Sequence, residues 1–202
     1  NIQLQRVAPA EIEQRSMEII ASEMGTTSFT QEQLPIVKRC IHTSADFDYV
    51  KNLRFTAGAV EAGLAAIRAG CTIVTDTQMA RSGINKKVLG KFGGQAVCFM
   101  SDEDVAAEAK ARGETRATVS MERAAALMGP VILAVGNAPT ALVRACELME
   151  AGTFSPALVI GVPVGFVNVV ESKELLASMP GEHIAAMGRK GGSNIAATIC
   201  NA

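Results

Sequence analysis

Short runs of β-branched and aliphatic residues alternate with longer, Ala-rich amphipathic segments along most of this chain, and that alternation admits few folds. Parallel strands need a crossover of a dozen or more residues, usually a helix, so the pattern builds a sheet with helices on its faces. Strands are expected at 53–55, 72–75, 96–100, 131–135, 157–162 and 183–187. Helices are expected at 9–24, 31–43, 57–69, 103–111, 115–127, 139–150, 171–178 and 193–201. The fold class is therefore α/β, a three-layer sandwich with a mainly parallel sheet. Punctuation is clearest at 131–139, where five apolar residues run into Gly136-Asn137-Ala138 and Pro139 suits the first helical position. In open parallel sheets ligands bind beyond the carboxyl ends of the strands, so this loop and the Pro/Gly loop after Val162 are the expected rim of a site.

A chain of 202 residues, 49% hydrophobic and 19% charged, has material for one core, and one domain over 1–202 is expected. The formal net charge is −1, which gives no basic excess for nucleic acid. Cys40, Cys71, Cys98, Cys146 and Cys200 are odd in number and contain no CxxC pair. They read as free thiols of a reducing compartment, with neither a disulfide framework nor a metal site. Residues 1–7 lack a charged start followed by an apolar stretch, and 155–170 is too short and too broken by Pro and Gly to span a bilayer. A cytoplasmic protein without membrane or nucleic-acid partners is the expectation.

Only two histidines are present. His42 lies in Arg39-Cys40-Ile41-His42-Thr43-Ser44-Ala45-Asp46, where an imidazole can exchange a proton near neutral pH, Arg39 can hold an anion, and Asp46 can orient the ring if the helix continues through Ala45. A histidine that merely packs near a helix end is the competing reading. A second cluster, Gly188-Arg189-Lys190-Gly191-Gly192-Ser193-Asn194, puts two cations and ligand-approachable glycines at a helix start, where the dipole favours an anion. A solvated turn capped by Ser193 is its alternative. Arg15-Ser16 in the first helix is a third polar cluster. Other chemistries lack their motifs: there is no Gly-Lys-Ser/Thr phosphate loop, no GxGxxG after a strand and no GxSxG elbow. Cys40 neighbours His42, but residues two apart on a helix point away from each other. Asp102-Glu103-Asp104 reads as an acidic helix start, His183 as a packed or hydrogen-bonded histidine, and Met79, Met100, Met121, Met128, Met149, Met179 and Met187 as core filler.

Five runs taken in order resemble the precorrin-8X methylmutase family, including its cobalt-precorrin-8 counterpart. They are Cys40 to Asp46; Asp76-Thr77-Gln78-Met79 with Gly83-Ile84; Gly136 to Leu142; Pro163 to Val167 with Glu171-Ser172-Lys173; and Gly188 to Ser193. The resemblance implies a flavodoxin-like fold, a homodimer and an isomerase of cobalamin biosynthesis that moves a methyl group from ring carbon 11 to ring carbon 12 of a tetrapyrrole, giving hydrogenobyrinate or cobyrinate. No separate redox cofactor is implied. It assigns His42 the proton-handling role and makes Ser16 and Arg39 substrate contacts. The substrate so implied carries several carboxylates, for which Arg15, Arg39, Arg189 and Lys190 are suitable cations and Gly191 and Gly192 suitable points of close approach. A corrinoid carrier without catalysis is the alternative.

Overall fold

The computed structural model describes residues 2–202; Asn1, the first residue of the 1–7 stretch read above, lies outside them. After a single 3-10 turn at Pro9–Glu11, the order is α1 (Ile12–Glu23), α2 (Leu34–Ser44), α3 (Tyr49–Asn52), β1 (Leu53–Phe55), α4 (Ala59–Arg68), β2 (Thr72–Thr75), α5 (Gln78–Gly83), α6 (Lys86–Lys91), β3 (Gln95–Val97), α7 (Glu103–Arg112), α8 (Arg116–Ala125), β4 (Val131–Val135), α9 (Pro139–Glu150), β5 (Leu158–Gly161), α10 (Val169–Ser178), β6 (His183–Ala186) and α11 (Ser193–Asn201). The strands form one six-stranded sheet in the order β1-β6-β5-β4-β2-β3. All pairings are parallel except β1 with β6.

Strands covered on both faces need no polar alternation, and every residue of β2, β4, β5 and β6 is buried. Alternate residues serve opposite layers. Ile73, Ile132, Leu158, Ile160 and Ile184 pack with residues of α2, α4 and α11, whereas Val74, Leu133, Val135 and Val159 pack with residues of α8, α9 and α10. The expected three-layer α/β sandwich is thus the observed fold.

Three short helices, α3, α5 and α6, were not expected from the sequence. Four to six residues carry too little periodicity to stand out; side-chain caps from Thr77 and Asn85 start α5 and α6. Strand β3 stops at Val97, short of the expected Met100. Of the methionines read as core, Met121 is buried, while Met79 and Met128 are 71% and 93% exposed. His183 is buried as expected; its backbone pairs with Thr56, but its Nδ1 has no partner among the described residues.

Candidate active site

Strand order reverses between β2 and β4, because β2 connects onward to the edge strand β3 whereas β4 begins the run toward β5 and β6. The gap beyond their carboxyl ends is where such sheets usually take a ligand. Here the protein's own carboxylate occupies it. Asp76, 1% exposed, accepts from the backbone N–H of Gly136 at 2.8 Å, Asn137 at 2.8 Å and Ala138 at 2.6 Å. Burial pushes this carboxyl above its ordinary range against the pull of those three amides. The amino-terminal end of α9 is therefore already filled, which agrees with the lack of a phosphate motif. Thr77 continues the junction through a 2.7 Å hydroxyl contact with Ser193. Gly136 lies so close to α11 that a Cβ there would be 2.7 Å from the Gly192 carbonyl oxygen.

The side chains expected to carry chemistry stand elsewhere, against the later half of α11. Arg39 and His42 are three residues apart on α2, hence on one face, and they line a cavity of about 390 Å³ with Pro35, Thr43, Thr198, Asn201 and Ala202. Helix α11 forms the other wall, and Thr43 and Thr198 touch through their hydroxyls at 3.0 Å. Pro35 and Ala202 also border an adjoining cleft of about 220 Å³ whose walls include Ile36, Val60, Leu64, Ile132 and Ile199. An imidazole and a guanidinium thus stand beside an apolar recess. Cys40 points the other way, fully buried, and burial pushes its thiol up to about 12.

Asp46 does not orient His42. Helix α2 ends at Ser44 because Ala45 turns left-handed with φ 55°, closing the helix through its N–H to the Ile41 carbonyl. The reversal aims Asp46 at Lys190, 2.6 Å away, and Lys190 also reaches Asp48 at 2.8 Å. Lys190 is accordingly engaged with two carboxylates of its own chain, which hold its amine above the ordinary range and lower Asp46. Of the expected substrate contacts only Arg39 lines this cavity; Arg15, Ser16, Arg189, Lys190, Gly191 and Gly192 do not. Arg39 pairs with Glu13 of α1 at 2.5 Å. On the same α1, Ser16 bonds back to the Ile12 carbonyl and Arg15 meets Glu18 at 3.5 Å. Arg189 stands 5.2 Å over the Phe166 ring.

Gly191 and Gly192 serve packing more directly than ligand approach. A Cβ on Gly191 would sit 2.1 Å from the Val162 carbonyl oxygen. Gly192, not Ser193, is the N-cap of α11, with φ 137° and no side-chain cap. Its N–H donates to the same Val162 carbonyl at 2.9 Å. Sequence reasoning missed Asp76 and Lys173 as organisers of this edge. Their only signal was membership in two of the motif runs. Among the described residues no cluster of three or more His, Cys, Asp or Glu side chains is placed to hold a metal, and no helix is long and apolar enough to cross a membrane.

Comparison with known proteins gives one answer. Residues 11–202 match the family model for precorrin-8X methylmutase. The chain is 46% identical over 196 residues to a cobalt-precorrin-8 methylmutase of Priestia megaterium, covering 97% of this chain and 87% of that one. It is 36% identical to a precorrin-8X methylmutase of Pseudomonas aeruginosa, with 95% and 92% covered. A precorrin-8X methyl mutase structure from Thermus thermophilus superposes with a TM-score of 0.88 at 42% identity, covering 95% and 93% of the two chains. With its sheet order, its motif runs and its full-length likeness in agreement, the chain belongs to the precorrin-8X methylmutase family.

Proposed function

We propose that this protein is an isomerase of cobalamin biosynthesis that moves the methyl group on ring carbon 11 of precorrin-8, or of its cobalt complex, to ring carbon 12, with His42 as the proton handler. In a 1,5-sigmatropic shift the bond from carbon 11 to the methyl breaks as the bond to carbon 12 forms, and conjugation rearranges with no net gain or loss of electrons or protons. Nothing in that step needs a nucleophile. A proton lent to the macrocycle by the His42 imidazole biases the ring toward methyl departure and is returned afterwards. Arg39, in the same cavity, holds a substrate carboxylate. The exposed Met79, Val164, Phe166 and Val167, which follow β2 and β5, suit the flat apolar faces of the ring. Further substrate carboxylates are assigned to Arg15, Ser16 and Arg189, Arg15 giving up its pair with Glu18, while Lys190 meets the substrate edge with Asp46 and Asp48 still in place.

One observation carries this reading: the family likeness spans 11–202, and the residues to which the motif gives chemistry, Arg39 and His42, line one cavity. That cavity accommodates one edge of the macrocycle. A homodimer, checked by light scattering of the eluting protein, would cover more of it. The cytoplasm, where the corrin precursor is made, is the proposed location.

The test is incubation with precorrin-8 and with cobalt-precorrin-8 while following the visible spectrum, since the shift changes conjugation. Wild-type protein is expected to convert at least one of them. His42→Ala is expected to bind with similar affinity and to turn over about 10²- to 10⁴-fold more slowly, the usual span of general acid help. Binding without conversion by the wild type would establish the carrier instead, and wild-type turnover in the variant would make His42 structural.

A further inference from the structure

Lys173 of α10 is completely buried, yet among the described residues no carboxylate pairs with it. Its Nζ donates instead to two main-chain carbonyls, Gly188 at 2.7 Å and Lys190 at 2.9 Å. Enclosing an ammonium without a counter-charge disfavours the folded state, and burial pulls the amine down to about 8. A methionine would fill comparable volume without enclosing a charge, giving up two hydrogen bonds to carbonyls of partly exposed residues. Stability alone therefore does not account for a lysine here.

Its two acceptors bracket Arg189. The Arg189 carbonyl in turn accepts from the N–H of Gly165 at 3.0 Å, and Gly192 is anchored to Val162. The segment is thus fixed by its backbone, and both cationic side chains project from it. Arg189 extends over Phe166. Lys190 reaches Asp46 and Asp48, immediately beyond the helix that carries His42. A continuous line of contacts joins Lys173 to the end of α2.

We infer that Lys173 is a positioning residue for the methyl shift: its ammonium fixes the backbone of Gly188 to Lys190, which presents Arg189 at the carboxyl edge of the sheet and lets Lys190 hold the end of the His42 helix in place. This inference rests on the reading of His42 given above.

Lys173→Met separates positioning from simple support. Positioning predicts a thermal midpoint equal to or above wild type, a kcat about 10- to 100-fold lower, and faster amide hydrogen exchange at 188–191 and 45–48 with the sheet still protected. A purely structural lysine predicts a lower midpoint, faster exchange throughout and wild-type kcat per folded molecule, and that result overturns the inference. Lys190→Met cuts the second link: exchange should quicken at 45–48 only, kcat should fall, and the double variant should lose less than the product of the single losses. Multiplicative losses would mean that the two lysines act independently, against the proposal. Should Lys173→Met fail to fold, Lys190→Met still decides, because opening of 188–191 in that variant would assign the loop to Lys190 and not to Lys173. An inactive His42→Ala beside a fully active Lys173→Met defeats this inference alone. Wild-type turnover in His42→Ala defeats the reading of the site, while the exchange pattern still judges the clamp.

Discussion

Asp76 shows how much one residue can settle at this sheet edge. Its two oxygens serve three amide hydrogens of the loop that leads into α9, groups that a buried turn must pair with something. Asp76→Asn keeps the size and one carbonyl oxygen but turns an NH₂ toward donors. At least one buried amide then loses its acceptor, at a cost of about 1–3 kcal/mol. The urea midpoint of Asp76→Asn should fall accordingly, whereas an unchanged midpoint would show that the amides do not depend on the carboxylate. None of this was readable from sequence, since the partners lie 60 to 62 positions on. The pairing of Lys190 with Asp48 spans 142 positions and was equally hidden. By contrast, Arg39 and His42 were legible together because a helix converts a spacing of three into a shared face. The expectation for Asp46 failed for a local reason, the left-handed Ala45, a conformation that alanine adopts only at some cost and that no pattern signals.

At the scale of elements, long amphipathic helices and fully apolar strands declared themselves: β4, α9 and α11 have the expected limits. The short helices did not. Elements also meet through charge outside the apolar core. Helices α7, α8 and α9 share a network in which Glu122 accepts from Arg112 and Arg144, while Arg123 joins Asp104 and Glu108. The acidic start of α7 thus does more than complement a dipole. The Arg112 and Arg144 guanidiniums hold the Glu122 carboxyl down at about 2, against an ordinary 4.5. Its folded-state value is depressed, so its stabilisation is complete above about pH 4.5 and is lost as pH falls toward 2. The side chain is 22% exposed, which screens the pair and reduces the expected contribution to about 1–2 kcal/mol. Glu122→Gln should be less stable by that amount in urea at pH 7, and the gap to wild type should narrow steadily below pH 4.5. A gap that stays constant down to pH 3 would assign the loss to packing, not charge.

Across the whole molecule, the sheet is a shared floor for two core layers. Alternate residues of the same strand face each layer, so loss of β4 or β5 would open both at once. The cysteines are placed to report this. Cys40 and Cys71 lie in the layer under α2, α4 and α11, and Cys146 lies in the opposite layer, under α9. All three are at most 1% exposed. Burial pushes Cys40 up to about 12 and, with the neighbouring Glu147 charge, Cys146 to about 11, and it also raises Cys71. At pH 8 the folded protein therefore offers very little thiolate, about one part in a thousand for a group at 11, and almost no access to it. Brief labelling with a thiol reagent across a urea series should leave these three cysteines unmodified until the unfolding transition. If the sandwich opens as one cooperative unit, they should all become reactive at the same urea concentration. Mass spectrometry of the labelled peptides resolves each site. Cys146 reacting well before Cys40 and Cys71 would show that the α9 layer can leave while the layer that carries His42 persists as a separate unit of stability.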